Sequence, residues 1–304
     1  MSGVLMKASI FVLLACPILL AASGTSANTN TDNNTTTQSG PLSESESVLI
    51  YVKFDRVKLS ESKADVIKNE ILPLFRTLQN EDFKTADVKF LYENSDGGIK
   101  TLMGNLLRTH VVESLVLMLY GQPVPPPYRQ PLFNPAVDFL VKIDLREKLT
   151  GSQIQALGII RNALETRGAV SVSKTTNYLF YTTHKESPSD VSIGFINGWR
   201  PAAGDKQEND NYWLKHHGPL AVSLGMPKEL VTYSQLHSDL VQPNNEVFDT
   251  NYEGMSFETI PNQNAILKMS GDPSVLKMNL GLIADEQHFT ASPKFLLFER
   301  IKLK

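Results

Sequence analysis

The sequence predicts an α+β protein assembled from ferredoxin-like βαββαβ units. Three observations predict it. Short segments rich in aliphatic and aromatic residues recur, among them VLIYVKF (48–54), VDFLVKIDL (137–145) and PKFLLFERI (293–301). Stretches with helical spacing of apolar residues lie between them. From 191 to 301 the order reads strand, helix, strand, strand, helix, strand, which is the split βαβ arrangement.

The chain has 304 residues, 41% of them hydrophobic and 20% charged, so most of it should be globular. That length suits one large domain or two ordinary ones. The formal net charge is -3 and no block of basic residues occurs. A surface that neutralises phosphates is therefore not expected, nor a nucleic-acid partner.

The first 27 residues have the layout of a secretory signal peptide: Lys7, an apolar run from Ile10 to Ala22, then small residues. The run is too short for a stable membrane span. Met6 is an alternative start, and cleavage after Ala27 would leave a mature chain without cysteine, since Cys16 is the only one. Leu14 stands where a lipoprotein box carries a small residue, so ordinary cleavage and export, to periplasm or medium, are expected over lipidation at Cys16. Residues 28–46 are almost free of apolar side chains and read as a disordered tether with N-x-T sequons at Asn33 and Asn34.

From Val48 the elements follow in order: a strand at 48–54, a helix at 62–79, and strands at 86–93 and 112–120. Five prolines between 122 and 131 predict an extended connector. A strand at 137–145 and a helix at 150–168 come next, then two strands, AVSVS and NYLFYTT. Residues 47–185 thus read as a degenerate ferredoxin-like region of two partial βαββ copies. In 191–304 a strand (191–199) precedes a polar loop, and Asp210 is expected to cap a helix from Asn211 to about Leu224. Strands at 230–241 and 252–260, helix within 262–280 and a last strand at 293–301 complete that unit.

Three segments of the last unit carry a resemblance: DNYWLKHHGPLA (210–221), LVTYSQLHSDL (230–240) and ADEQHFTASPKFLLFE (284–299). Together they resemble the EthD domain family, over about residues 191–301. The resemblance implies a dimeric α+β barrel, closed either by an internal pseudo-dimer or by a homodimer. It also implies a pocket between the first helix and the sheet. The long segment from Gln242 to Asn251 departs from the family pattern, as does all of 47–185.

Within that unit His216 and His217 are adjacent, so on a helix only one can share the core-facing stripe. Trp213, His217, Leu220, Ala221 and Leu224 form that stripe, leaving His216 at the edge. Pro219 removes a donor from the helix ladder, and Gly218 permits close approach of another backbone. On the following strand Tyr233, Gln235, His237 and Asp239 share one face, which in a barrel could line a cavity. The expected catalytic residues are therefore His217, as general acid or base, with His237 and Tyr233 orienting a substrate. Trp213, His216 and Trp199 are expected to contact it. Asp285 and Glu286 read as residues that cap and bracket a turn.

No metal-ligand spacing is present, and neither are a P-loop, a dinucleotide fingerprint or a nucleophile elbow. No cofactor is predicted; haem, held by one axial histidine, is the alternative. The expected ligand is a small, largely apolar molecule bearing a carbonyl or phenol. The expected chemistry is cofactor-free dehydration or decarboxylation, or oxidoreductase-type turnover. A non-catalytic binding or carrier protein is the alternative class.

Overall fold

The computed structural model describes residues 40–55, 62–93, 118, 119, 121, 137–187, 189–197, 205–290 and 294–301. Eight antiparallel strands close into one barrel in the order β1-β3-β2-β8-β5-β7-β6-β4. The first half contains β1 (Ser43–Phe54), α1 (Lys63–Val66) and α2 (Leu72–Glu81), joined by a π-helical turn at Ile67–Ile71. It continues with β2 (Asp87–Glu93), β3 (Phe139–Asp144), α3 (Gly151–Glu165) and β4 (Gly168–Thr182). The second half contains β5 (Val191–Asn197), α4 (Lys206–Tyr212), a π-helical turn at Trp213–His217, and α5 (Gly218–Ser223). Then come β6 (Thr232–Ser238), β7 (Gly254–Ile260), α6 (Gln263–Ser270), α7 (Pro273–Glu286) and β8 (Lys294–Ile301).

Each half is thus a complete βαββαβ unit, and the barrel closes within one chain. Two seams join the halves: β4 pairs β6, and β2 pairs β8. The expected pair of partial copies in 47–185 is one full unit. Its third strand and second helix are the strand and helix that had been assigned to a separate copy. AVSVS and NYLFYTT are one strand, because the Lys174-Thr175-Thr176 link pairs continuously with β1 along one edge. A register shift between Leu179 and Tyr181, on the β6 side, takes up the irregularity. Trp199 and nearly all of the predicted strand at 112–120 lie outside the described residues, as do the signal peptide and most of the tether; Met118 and Leu119 are helical.

Alternation along each strand sends one set of side chains into the barrel and the other against the helices. Leu49, Tyr51, Leu91, Leu140, Leu236, Met255, Phe257, Leu296 and Phe298 fill the barrel interior. Gly194 faces the same core, where a Cβ would stand 2.6 Å from Met255 Sδ. Further along the interior Lys142 pairs closely with Asp144, and Lys89 lies 3.1 Å from Asp144 and 2.7 Å from Glu186. Burial lowers the pKa of Lys142. Burial also opposes the charge of Asp144, but Lys142 and Lys89 outweigh it and hold that carboxyl well below its usual range. The interior is therefore packed. The predicted Tyr233, Gln235 and His237 face does not line it; that face meets the helices.

The halves share a device set by a proline in each. Pro73 and Pro219 stand at the second position of the helices that follow the two π turns. A proline offers no N–H to the carbonyl four residues back, here Asn69 and Lys215, and the ladder slips by one residue. In the second half the Gly218 N–H accordingly bonds the Trp213 carbonyl, five residues back.

Candidate functional site

The π turn fixes where its side chains point. Trp213, His217 and Ala221 are buried, while His216 is exposed. Gly218 is tight against β4: an added Cβ would lie 2.3 Å from Phe180 Cζ. An aromatic ring, not a backbone, occupies the space that glycine leaves. The helix begins earlier than predicted. Asp205 caps it in a capping box with Glu208, and Asp210 lies inside α4, paired with Lys206 at 2.7 Å.

His217 faces α7. Its Nδ1 lies 2.8 Å from Asp285 Oδ2, and the Tyr212 hydroxyl donates to Asp285 Oδ1 at 2.7 Å. Asp285 is thus a helical residue that holds an imidazole, and not a turn bracket. Burial would raise its pKa, but the His217 contact outweighs that and lowers it. An aspartate on Nδ1 fixes that nitrogen as the donor. Exposed His216 stacks on Tyr212, with ring centroids 4.9 Å apart.

His237 is buried between Trp213, stacked at 4.0 Å, and Tyr178, edge-on at 5.1 Å. Gly254 permits this stack, since a Cβ there would stand 2.9 Å from Trp213 Cζ3. His237 Nε2 lies 3.1 Å from Gln235 Oε1, and Nδ1 lies 3.5 Å from Asp210 Oδ1. Burial lowers its pKa against the pull of Asp210.

A cavity of about 60 Å³ opens between this sheet and its helices. Ile193, Tyr233 and Glu258 come from β5, β6 and β7; Ala221 comes from α5; Ile266, Met269, Val275, Met278 and Leu282 come from α6 and α7. Asn279, Tyr233 and Glu258 are the polar residues of an otherwise apolar wall. Of the predicted site residues only Tyr233 lines it. His217, His237, Trp213 and His216 do not, and Trp199 lies outside the described residues.

Glu258 was missed. It pairs directly across the sheet with Tyr233 and is partly open to the cavity. Burial among apolar side chains pushes its pKa up to about 7. The same cause raises the Tyr233 hydroxyl. Its strand gave no warning: in GMSFETI, Glu258 falls on the face opposite Met255 and Phe257, where a charged residue ordinarily meets water.

The first half supplies an internal control. Its register pairs Val88 with Ile143 where the second half pairs Tyr233 with Glu258. Phe90 stands at the place of Gln235, and Ile71, ending the first π turn, at that of His217. Val88, Phe90, Ile143 and Ile71 all belong to a plain hydrophobic core. The fold therefore closes without a buried tyrosine, glutamine, glutamate and histidine at these positions. Placing them there forgoes apolar burial and adds desolvation.

No known family profile matches the chain, and no curated protein matches it. Solved structures are similar at low identity. An anthrone oxidase-like protein is 9% identical, with 85% of this chain and 92% of that chain covered and a TM-score of 0.45. A candidate chlorite dismutase is 9% identical, with 86% and 96% covered and a TM-score of 0.45. A dye-decolorizing peroxidase from Bacteroides thetaiotaomicron is 12% identical, with 86% and 94% covered and a TM-score of 0.38. At these values no residue role and no reaction is carried over. Among the described residues, no group of three or more His, Cys, Asp or Glu could hold a metal ion, and no helix is long and apolar enough to cross a membrane.

Proposed function

We propose that the second half holds a small-molecule site, at which Glu258 and Tyr233 handle the carbonyl or phenol oxygen of an otherwise apolar ligand. One observation carries this: the two polar residues replace an Ile143 and Val88 pair that packs as plain core in the first half, and they do so at a cavity. An apolar pocket with a few convergent polar groups is the usual form of a ligand site. A carboxyl titrating at about 7 suits proton transfer at neutral pH. The chemistry proposed is cofactor-free movement of a proton at a carbon acid, of the dehydratase or decarboxylase kind. His217 stands one helical turn before cavity-lining Ala221, and its Asp285-held imidazole is the second proton-handling group. An EthD-type assignment and export from the cytoplasm belong to the same proposal.

Haem fits only in part. An aspartate-held imidazole such as His217 has the donor chemistry of an axial ligand. A cavity of about 60 Å³ with no histidine in its wall does not admit a porphyrin, so no step is drawn through one.

The test is wash-out of deuterium from cyclopentanone labelled beside its carbonyl. The wild-type protein is expected to accelerate it, and E258Q to lose a factor of about 10² or more. Saturable binding without wash-out would favour the carrier class. Absence of both would refute the site.

A further inference from the structure

Glu258 stands in the middle of the cavity floor. Its strand is paired on both sides, and its two cross-strand neighbours, Ile193 on β5 and Tyr233 on β6, line the same cavity. Its side chain leaves the sheet on the face away from Met255 and Phe257, so it enters the layer under α6 and α7. It keeps partial exposure there, although Phe257 and Thr259 beside it are buried. Among the described residues no hydrogen bond and no ion pair reaches its carboxyl, and burial alone shifts its titration. Tyr233 is the other titratable group of the wall, and its hydroxyl is taken up by Gln235 and Ser256. The charged residues of the covering segments, Lys228, Glu229, Lys268, Asp272, Lys277 and Glu286, lie outside the wall. The wall therefore holds an acid and, among the described residues, no cation to match it.

An ionised carboxyl without a partner in an apolar wall is unfavourable, and it is relieved either by keeping its proton or by gaining a cation. In the protonated form it donates to an oxygen, which suits a carbonyl or phenol ligand. In the ionised form a cationic ligand satisfies it. A bare metal ion does not fit, because the side chains of the wall offer one carboxyl and one amide where such ions take about six or more oxygens. An alkylammonium fits better. Its N–H donors meet the Glu258 carboxylate, with the Asn279 amide oxygen and the thioethers of Met226, Met269 and Met278 as the other acceptors of the wall, and its hydrocarbon body meets the aliphatic side chains around them. We infer that this cavity is a binding site for small hydrophobic primary amines, taken as ammonium ions with Glu258 as their counter-ion. The inference rests on the cavity being a ligand site and goes beyond the oxygen-bearing ligand: it adds a second ligand class that competes for the same carboxyl.

Cyclopentylamine and cyclopentanol, two rings of one shape that differ in charge, test it by titration followed with ligand-observed NMR. At pH 8 wild type is expected to prefer the amine by about ten-fold or more, the scale of a hydrogen bond to a charged group. An alkylamine, like lysine, stays protonated from pH 6 to pH 8, so any change in its affinity over that range reports the protein. Glu258 is mostly ionised at pH 8 and mostly protonated at pH 6, where the amine must displace its proton. Amine affinity should therefore fall by about ten-fold from pH 8 to pH 6. E258Q, which keeps the shape without the charge, should bring the ratio of amine to alcohol towards one and flatten its pH dependence. An amine that binds wild type no better than cyclopentanol at pH 8 overturns the inference and leaves the cavity a site for neutral ligands. A flat pH profile in wild type overturns it without any variant, and so does an amine preference that survives in E258Q, since the cation then sits elsewhere. If neither ring binds, the cavity is no ligand site, and the inference falls together with that reading.

Discussion

Replacing Glu258 by glutamine tests whether an ionisable group was placed in this cavity against the interest of stability. In the folded protein the carboxyl titrates at about 7, against an ordinary value of 4.5. The folded state therefore keeps a proton that the unfolded chain releases. For a raised pKa the contribution is fully present below 4.5 and is lost as pH climbs through 7. The difference between 7 and 4.5, at about 1.4 kcal/mol per pH unit, amounts to about 3.5 kcal/mol once the pH is well above 7. Glutamine cannot ionise, so E258Q should escape this loss. Urea unfolding of both proteins from about pH 4 to pH 9 measures it. Near pH 4 the two should lie close together. By pH 8 the variant should be the more stable by about 3 kcal/mol. Parallel curves across that range would mean that Glu258 is well solvated, and would remove the argument for a proton-handling carboxyl.

Three further outcomes follow from particular contacts. In G218A the new methyl meets the Phe180 ring, so unfolding should show a loss of about 1–3 kcal/mol that G218A/F180L largely recovers. D285N should cost about 1–3 kcal/mol near neutral pH, because Tyr212 and His217 share that carboxylate. The Asp285 pKa is lowered, so this contribution is present above 3.8 and lost as pH falls below it, and a D285N penalty that persists in acid would refute the assignment. D144N leaves Lys142 buried without its close partner and should lose about 3–5 kcal/mol in denaturant titration, mostly restored in D144N/K142M; an unaffected D144N would show that the interior is wetter than its packing implies.

Much of the second half was legible in the chain. Trp213, His217 and Ala221 lie on the buried face that helical spacing assigned to them, and His216 lies at the exposed edge. Period two set Tyr233, Gln235 and His237 on one face of β6, and they share it. Which layer that face meets was not legible. A strand pattern fixes two faces but not which neighbour covers each, and in a barrel both are covered. The first half was misdivided for a related reason. Its β3 pairs both β1 and β2, contacts between residues far apart in sequence, and local periodicity carries no such information. Glu258 escaped because a single charged residue in a strand ordinarily faces water. Only closure of α6 and α7 over β7 gives it an apolar site.

The sequence by itself determined the elements and their faces, because propensity, capping and periodicity act within a few residues of one another. It also set the two X-Pro steps that make each first helix slip into a π turn. Tertiary structure alone decided that the two halves close one barrel, that the barrel interior is packed, and that the cavity lies under the helices of the second half. It also decided that Glu258 faces Tyr233 while their counterparts, Ile143 and Val88, make ordinary core. Those outcomes rest on pairings between distant segments and on the removal of water from a carboxyl, and neither exists until the chain has closed.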